Sequence, residues 1–413
     1  MSATWLSIIG IGEDGMAGLS AAARQIVEEA EVIVGGDRHH HLSPNVTAER
    51  LSWPHPFDAL IEDLTSRRGK RLVVLATGDP LWFSVGARIA RAIPPEEISF
   101  FPQLSAFQWA AARMGWSMAD VETLTVHGRP VEQIIPRFWP NVKLLILTSG
   151  ADTPGKIAGL LADRGYGASR LTVLGNLGGP DENCTQGTAA AWAEQDPGAT
   201  LPAFNTLAVD CIGTPEKLLS AIPGLPDDAF VHDGKITKQE VRSLTLAKLM
   251  PARGEVLWDL GIGCGSIAIE WMRAAPDALA VGIDRSADRL DMARQNAQVL
   301  GVPKLHFMQG ALPGALDDIP APEAARTDLR RPNAVFLGGG ISADLIDRAV
   351  NALAANGRCV ANAVTLESES ILIDAHGRHG GTLTRISVQR AEPVGHLTGW
   401  RPAMPVMQWA LLK

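Results

Sequence analysis

Apolar runs of strand length alternate with segments of helical period along both halves of the chain. The runs are bounded by Gly, Pro or charged residues, which is typical of short buried strands. In the first half the pattern predicts strands at 5–9, 31–34, 71–76, 144–148, 171–175 and 207–212. In the second half it predicts strands at 256–260, 278–283, 306–308, 333–337, 358–363, 382–389 and 406–412. Because strands and helices alternate, we predict an α/β protein with mostly parallel sheets.

The chain has 413 residues, which is long enough for two or three domains. The stretch 213–235 is rich in Pro and Gly and is predicted to be a linker. We therefore predict a first domain at 1–212 and a second at 236–413. Thr237, with Glu240 three residues later, forms a capping-box pattern that predicts the first helix of the second domain.

Composition and charge argue against several classes of function. The formal net charge of −8 argues against general nucleic-acid binding, which requires a basic face, but permits a small acidic substrate held by a few arginines. No apolar run is long enough for a membrane span, and the N-terminus has no basic leader. The four cysteines are scattered, which fits a reducing compartment. A cytoplasmic homo-oligomer without membrane or nucleic-acid partners is expected.

A histidine run occurs in GGDRHHH, from Gly35 to His41. Consecutive side chains point in different directions, so a polar loop is favoured over a metal site. No metal is expected.

The first glycine-rich turn, Gly10-Ile11-Gly12-Glu13-Asp14-Gly15, has the spacing of a dinucleotide fingerprint. Glu13 and Asp14 would, however, place two carboxylates where a pyrophosphate requires positive potential. The next helix is predicted to begin only near Leu19 or Ser20, too late for its N-terminus to face the turn. The charges therefore argue against NAD.

The second glycine-rich turn follows the predicted strand 256–260 and contains glycines at alternate positions, Gly261, Gly263 and Gly265. Glycine lets the backbone approach a ligand closely. The following strand ends at Asp284, about where a doubly wound sheet places a carboxylate against a ribose. A nucleoside-like cofactor is predicted, and a glycine turn without a ligand is the alternative.

The pattern of Asp259 followed by G-x-G-x-G resembles the class I S-adenosylmethionine-dependent methyltransferases. The resemblance implies a Rossmann-like, mostly parallel seven-stranded sheet and one S-adenosylmethionine site in this domain. The cofactor-binding residues that it implies are Thr237, Gly261, Ile262, Gly263, Cys264, Gly265, Asp284, Gly310 and Ala311.

The first half resembles a second class, the tetrapyrrole methylases. The matching parts are the first G-x-G turn, the ATGDP turn, the P-x-x-S-A segment and LGNLGGPDE. The resemblance implies a class III fold of two α/β lobes, with S-adenosylmethionine in the cleft between them. The implied cleft residues are Thr77, Gly78, Asp79, Trp82, Ser105 and Ala106.

The second half is most similar to the decarboxylating corrin-ring methyltransferases, through HDGKITKQEVR, WDLGIGCGSIAIEW, GGGI and GWRPAMPVMQW. For the two halves together the resemblance implies a cobalamin-biosynthesis enzyme with an acidic tetrapyrrole substrate. It implies methylation at C5 by the first domain, and methylation at C15 with decarboxylation of the C12 acetate by the second. Candidate substrate residues are Arg38, Arg129, Arg242, Gly338, Gly339, Gly340 and Arg401. No catalytic residue is identified beyond Glu367, which could manage a proton, although an exposed glutamate at the start of a helix is the favoured explanation.

Two other functions stay open at this level. RNA methylation shares the G-x-G-x-G turn, but the fourth strand ends in GGG and no basic patch is visible. A cofactor-binding scaffold with one inactive domain is the other alternative.

Overall fold

The computed structural model describes residues 4–321 and 327–413. The chain divides into two compact units. The first contains Met1–Val131 and Phe138–Glu216, and the second contains Glu132–Arg137 and Lys217–Lys413. Each unit is described by itself below.

The first unit begins with a fully parallel five-stranded sheet in the order β3-β2-β4-β1-β5. Its strands are β1 (Leu6–Ile11), β2 (Val32–Val34), β3 (Glu49–Leu51), β4 (Leu72–Thr77) and β5 (Ile98–Phe101). The helices of this part are α1 (Ala21–Glu28), α2 (Asp37–Leu42), α3 (Leu60–Thr65), α4 (Val85–Ile89) and α5 (Ala106–Met114). Alternate residues of β1 and β4 enter the two apolar cores on either face of the sheet, so both strands are buried except at Ser7 and Thr77, which are partly exposed.

A second five-stranded sheet completes this unit in the order β6-β7-β10-β8-β9, and within it only β6 and β7 pair in parallel. The strands are β6 (Val121–Thr125), β7 (Lys143–Leu147), β8 (Arg170–Gly175), β9 (Asn183–Thr188) and β10 (Asn205–Asp210). The helices are α6 (Thr153–Ala162) and α7 (Ala189–Glu194). Phe107 and Ala110 of α5 pack on this sheet against Leu145 and Ala208. The unit therefore has the two α/β lobes that the sequence predicts.

The second unit contains a seven-stranded sheet in the order β13-β12-β11-β14-β15-β19-β16, in which only β19 runs antiparallel to its neighbours. The strands are β11 (Val256–Leu260), β12 (Leu279–Asp284), β13 (His306–Gln309), β14 (Ala334–Leu337), β15 (Arg358–Ala363), β16 (Thr382–Ile386) and β19 (Val406–Leu412). The helices are α8 (Gln239–Leu249), α9 (Ser266–Ala274), α10 (Ala287–Val299), α11 (Ala343–Ala352) and α12 (Leu366–His379). An exposed hairpin of β17 (Gln389–Val394) and β18 (Leu397–Pro402) precedes β19. The predicted Rossmann-like sheet is confirmed.

Two local predictions are wrong. The GGDRHHH stretch forms the helix α2 rather than a loop. Helix α8 has Lys238 at its N-cap, and no side chain caps it, so Thr237 and Glu240 do not form a capping box.

The predicted linker is also largely wrong, because most of 217–235 packs on the second unit. Leu225 and Phe230 are buried in the core on one face of its sheet. The backbone N–H groups of Gly224 and Leu225 donate to Glu270 of α9 at 2.5 and 3.1 Å. A segment that supplies core side chains and buried hydrogen bonds is part of the fold that it joins.

Within residues 4–321 and 327–413, no helix combines the length and apolar content needed to cross a bilayer. Among those same residues, no three His, Cys, Asp or Glu side chains gather in a way that could hold a metal ion.

Candidate functional site

The candidate site of the first unit is built where three backbone segments meet at the carboxyl ends of β1 and β4. A Cβ on Gly10 would lie 1.8 Å from the carbonyl oxygen of Gly78, and a Cβ on Gly78 would lie 2.7 Å from Cα of Ser105. Gly78 also has φ +63°, a backbone conformation that favours glycine. Only glycine at both positions therefore allows the ATGDP turn to pack against the first turn and the start of α5.

These segments border an open cleft. Thr77, Gly78 and Ala106, all predicted cofactor residues, line it, together with Arg38. Three other predicted residues are not among the lining side chains. The carboxylate of Asp79 accepts a hydrogen bond from the N–H of Leu81, the hydroxyl of Ser105 caps α5, and Trp82 is about half exposed in the following loop. The structure thus brings together half of the predicted set.

An ion pair at the cleft changes the electrostatics inferred from sequence. The guanidinium of Arg38 donates to the carboxylate of Glu13 and, at 2.9 Å, to the hydroxyl of Thr77. It also lies 4.0 Å from the ring centroid of Phe204, a cation–π distance. Because Arg38 balances the charge of Glu13, the first turn is less repulsive to an anion than its sequence indicates. Sequence reasoning missed this pair because the two residues are 25 positions apart in the sequence.

The second candidate site follows β11 in the other unit. Gly261, Gly263 and Gly265 all have positive φ, at +82°, +56° and +86°. The N–H of Gly263 donates to Asp284 at 3.1 Å, so the turn is fastened to the end of β12. The other oxygen of Asp284 accepts from the N–H of Ser286 at 3.0 Å. Each oxygen keeps further acceptor capacity, as a ribose contact requires.

Asp259 is an additional candidate that the prediction did not include among the site residues. Its side chain is 1% exposed, and one carboxylate oxygen accepts from the N–H of Ala268 at 3.0 Å. The other oxygen is buried without a hydrogen-bond partner among the described residues. Burial, and secondarily the charge of Asp284, raises the pKa of Asp259 to about 7. A buried carboxylate with one free oxygen fits a ligand that carries a cationic or hydrogen-bond-donating group.

The remaining predicted cofactor residues of this unit lie on the loops after its strands. The N–H of Gly310 donates to the carbonyl of Asp284 at 3.0 Å, and Ala311 follows it. A Cβ on Gly261 would lie 3.3 Å from the carbonyl oxygen of Gly339, so the GGG segment after β14 lies beside the glycine turn. Thr237 precedes α8, and its carbonyl accepts from Arg242.

The predicted substrate residues lie in different local surroundings. Arg242 is fully buried and bonds Glu270 at 2.6 Å and Asp227 at 3.0 Å, so its prediction as a substrate arginine is wrong. Arg401 lies on the exposed hairpin and pairs with Glu392 at 3.0 Å. Arg129 is not among the residues that line the cleft of the first unit and lies 5.9 Å from the ring centroid of Phe83. Glu367 is an exposed residue in the first turn of α12.

Comparison with known families agrees with these two folds. Residues 6–193 match the family described as tetrapyrrole (corrin/porphyrin) methylases, and residues 228–413 match the family described as a precorrin methyltransferase domain. The chain is therefore a methyltransferase built from two methylase domains of different design. A precorrin-6Y C(5,15)-methyltransferase (decarboxylating) from Sinorhizobium sp is 43% identical over 99% of this chain and 96% of its own length. The chain belongs to the precorrin-6Y C(5,15)-methyltransferase (decarboxylating) family.

Two shorter relatives each match less than half of the chain. A cobalt-precorrin-7 C(5)-methyltransferase from Salmonella typhimurium is 32% identical over 41% of this chain and 83% of its own length. A probable cobalt-precorrin-6B C(15)-methyltransferase (decarboxylating) from Pyrobaculum calidifontis is 32% identical over 45% of this chain and 94% of its own length.

Proposed function

We propose that this chain methylates a reduced, acidic tetrapyrrole at C5 and C15 and removes carbon dioxide from the acetate side chain on C12, with S-adenosylmethionine as methyl donor at two sites. The observation that carries the proposal is the presence of two glycine-built sites on unrelated sheets within one chain. One is the cleft at Thr77 and Gly78, and the other is the turn at Gly261–Gly265 with Asp284.

We assign C5 methylation to the first unit and C15 methylation with decarboxylation to the second. The tetrapyrrole methylase family matches only residues 6–193, and the precorrin methyltransferase family only 228–413. The two shorter relatives carry the C(5) and the C(15) decarboxylating activities under separate names. That separation supports one methylation for each unit.

The residues of the second unit fit S-adenosylmethionine. Asp284 offers acceptor oxygens for a ribose diol, and the positive-φ glycines leave the turn without Cβ atoms that would hold a ligand away. The free oxygen of Asp259 suits a positively charged group of the cofactor. When bound, the cofactor supplies a methyl group that its sulfonium already makes electrophilic. The protein therefore needs no nucleophilic triad and has mainly to align the reactants and exclude water.

Decarboxylation can use the macrocycle itself as the electron acceptor. When the carboxylate carbon leaves as carbon dioxide, its bonding pair passes into the conjugated imine system and makes C15 nucleophilic toward the methyl group. The protein then has to desolvate the carboxylate and hold C15 in place. Gly338–Gly340 after β14 present no side chains and would admit a flat ring. Asn362 lies near the carboxyl end of the neighbouring strand β15, but its amide already donates to Thr245 and accepts from Gln408, so it is less available to the substrate.

The test uses full-length chains with one site altered at a time. Asp284→Ala removes the acceptor of Gly263 and the proposed ribose partner, so it should abolish C15 methylation and decarboxylation but retain C5 methylation. Gly78→Val places a branched side chain against Ser105 and should do the reverse. Product mass spectra and calorimetric stoichiometry are the measurements. One cofactor site in the unaltered chain, or loss of both methylations in both variants, would contradict the assignment.

RNA methylation is not favoured. The chain belongs to a precorrin methyltransferase family, so the G-x-G-x-G turn is better explained by a tetrapyrrole substrate than by RNA. A net charge of −8 also disfavours binding of RNA, which is a polyanion.

A further inference from the structure

The histidines of the GGDRHHH stretch have no part in the proposed function so far, yet one of them contacts Thr77 at the cleft of the first unit. The N–H of Gly36 donates to Nδ1 of His39 at 3.1 Å. The other ring nitrogen, Nε2, lies 3.1 Å from the hydroxyl oxygen of Thr77. Thr77 lines the cleft.

These two contacts fix the tautomer of His39. Since Nδ1 accepts a hydrogen bond, it carries no proton, and the ring proton of neutral imidazole must be on Nε2. Burial, followed by the charges of Arg38 and His40, lowers the pKa of His39 to about 4, so the ring is neutral near pH 7. Nε2–H of His39 therefore donates to Thr77.

The hydroxyl of Thr77 accepts a second hydrogen bond, from the guanidinium of Arg38 at 2.9 Å. A hydroxyl oxygen has two lone pairs and one proton. Both lone pairs are thus occupied by His39 and Arg38, and the proton must be directed elsewhere. Within the part of the chain that the structure describes, this hydroxyl donates to no protein acceptor. Because one of the two donors is a cation, the O–H is also polarised into a stronger donor.

We propose that Thr77 is a pre-oriented hydrogen-bond donor to a carboxylate of the ligand in this cleft, and that His39 is the residue that positions it. The inference rests on the proposed function, in which the cleft holds S-adenosylmethionine and faces an acidic macrocycle. Both ligands carry carboxylates, so the acceptor belongs to one of them. The pair of Arg38 with Glu13 keeps the guanidinium in place beside Thr77.

The experiment uses the full-length Asp284→Ala chain as parent, so that binding and methylation report the first unit. Thr77→Val removes the hydroxyl at nearly constant shape, and Thr77→Ser retains it. His39→Asn retains an acceptor for Gly36 near Nδ1 but loses the donor to Thr77, whereas His39→Gln retains a donor near Nε2. Calorimetry with S-adenosylhomocysteine gives the Kd, C5 methylation gives the KM for the reduced tetrapyrrole, and thermal unfolding of each variant monitors stability.

Thr77→Val is expected to weaken the binding of one of the two ligands roughly fivefold, as for loss of one hydrogen bond. His39→Asn should weaken the binding of the same ligand about threefold. The conservative variants should stay within about twofold of the parent. The double variant should bind no more weakly than Thr77→Val alone, because His39 acts through Thr77. A raised Kd for S-adenosylhomocysteine would locate the acceptor on the cofactor, and a raised KM for the tetrapyrrole alone would locate it on the macrocycle.

Two results would overturn the inference while leaving the proposed function intact. One is an unchanged Kd and KM in Thr77→Val, and the other is full additivity of His39→Asn with Thr77→Val. A parent chain that binds no S-adenosylhomocysteine and forms no C5-methylated product would instead overturn the proposed function, and this inference with it.

Discussion

The buried ion pair of Arg242 and Glu270 is predicted to hold the segment before α8 on the second unit. Glu270, 1% exposed on α9, accepts from Nε of Arg242 at 2.6 Å and from the N–H groups of Gly224 and Leu225. Arg242 in turn donates to the carbonyls of Leu225 and Thr237. Three backbone positions before α8 thus depend on one carboxylate and one guanidinium.

The perturbation is Glu270→Gln, which keeps the shape of the side chain and removes its charge. The new amide would place N–H groups among three donors and leave a fully buried guanidinium partly uncompensated. Breaking a buried pair in this way costs about 3–5 kcal/mol. Because Asp227 remains 3.0 Å from Arg242, we expect the lower end, about 3 kcal/mol, or roughly a hundredfold in the unfolding equilibrium.

The assay is urea unfolding combined with amide hydrogen exchange, which reports the helices α8 and α9 separately from the first unit. Glu392→Gln is the matched control, because the pair of Glu392 with Arg401 is exposed and its loss should cost less than about 1 kcal/mol. If Glu270→Gln destabilises the second unit no more than the control does, the buried pair does not have the role assigned to it.

The other predictions concern the two sites and the boundary of the second unit. Gly10→Ala should lower the cofactor affinity of the first unit at least about tenfold, because the new Cβ would lie 1.8 Å from the carbonyl oxygen of Gly78 and displace the turn. Calorimetry measures this affinity, and an unchanged value would refute the packing argument. Asp259→Asn should change how the free energy of unfolding depends on pH in the absence of cofactor. Since the folded pKa of Asp259 is raised from 3.8 to about 7, the unaltered chain loses stability as pH rises between those values and no further above them. Urea titrations at several pH values should show a smaller fall in the free energy of unfolding for the variant than for the unaltered chain. Parallel curves of unfolding free energy against pH for the two chains would contradict the raised pKa of Asp259. A fragment of residues 217–413 should be more stable by circular dichroism than one of 236–413, which lacks Leu225 and Phe230; equal stability would restore the linker interpretation.

The sequence predicted those strands whose burial shows as an apolar run. β11, β15 and β19 are buried on both faces, and their bounds match the prediction to the residue. β9 and the hairpin of β17 and β18 were missed because most of their residues are exposed and form no apolar run, and their pairing is specified by neighbouring strands rather than by composition.

The site was predictable where it depends on backbone geometry and not where it depends on distant side chains. The glycine turns were found because glycine at fixed spacing marks positive φ or close approach. The role of Arg242 was wrong because no local pattern distinguishes a solvated arginine from one whose partner, Glu270, lies 28 positions away. Glu13 was interpreted as repulsive for the same reason, since its partner Arg38 becomes adjacent only in the fold.

In the proposed function, one chain performs two methylations and one decarboxylation, and the second unit carries out the C15 methylation and the decarboxylation. The direct measurement is the mass of the product formed from the reduced tetrapyrrole and isotopically labelled S-adenosylmethionine by the full-length chain and by its Gly78→Val variant. For the unaltered chain we expect two labelled methyl groups and loss of one carbon dioxide. For the variant we expect one labelled methyl group, with carbon dioxide still lost. A product of the variant that gains one methyl group but retains the carboxylate would contradict the assignment of decarboxylation to the second unit.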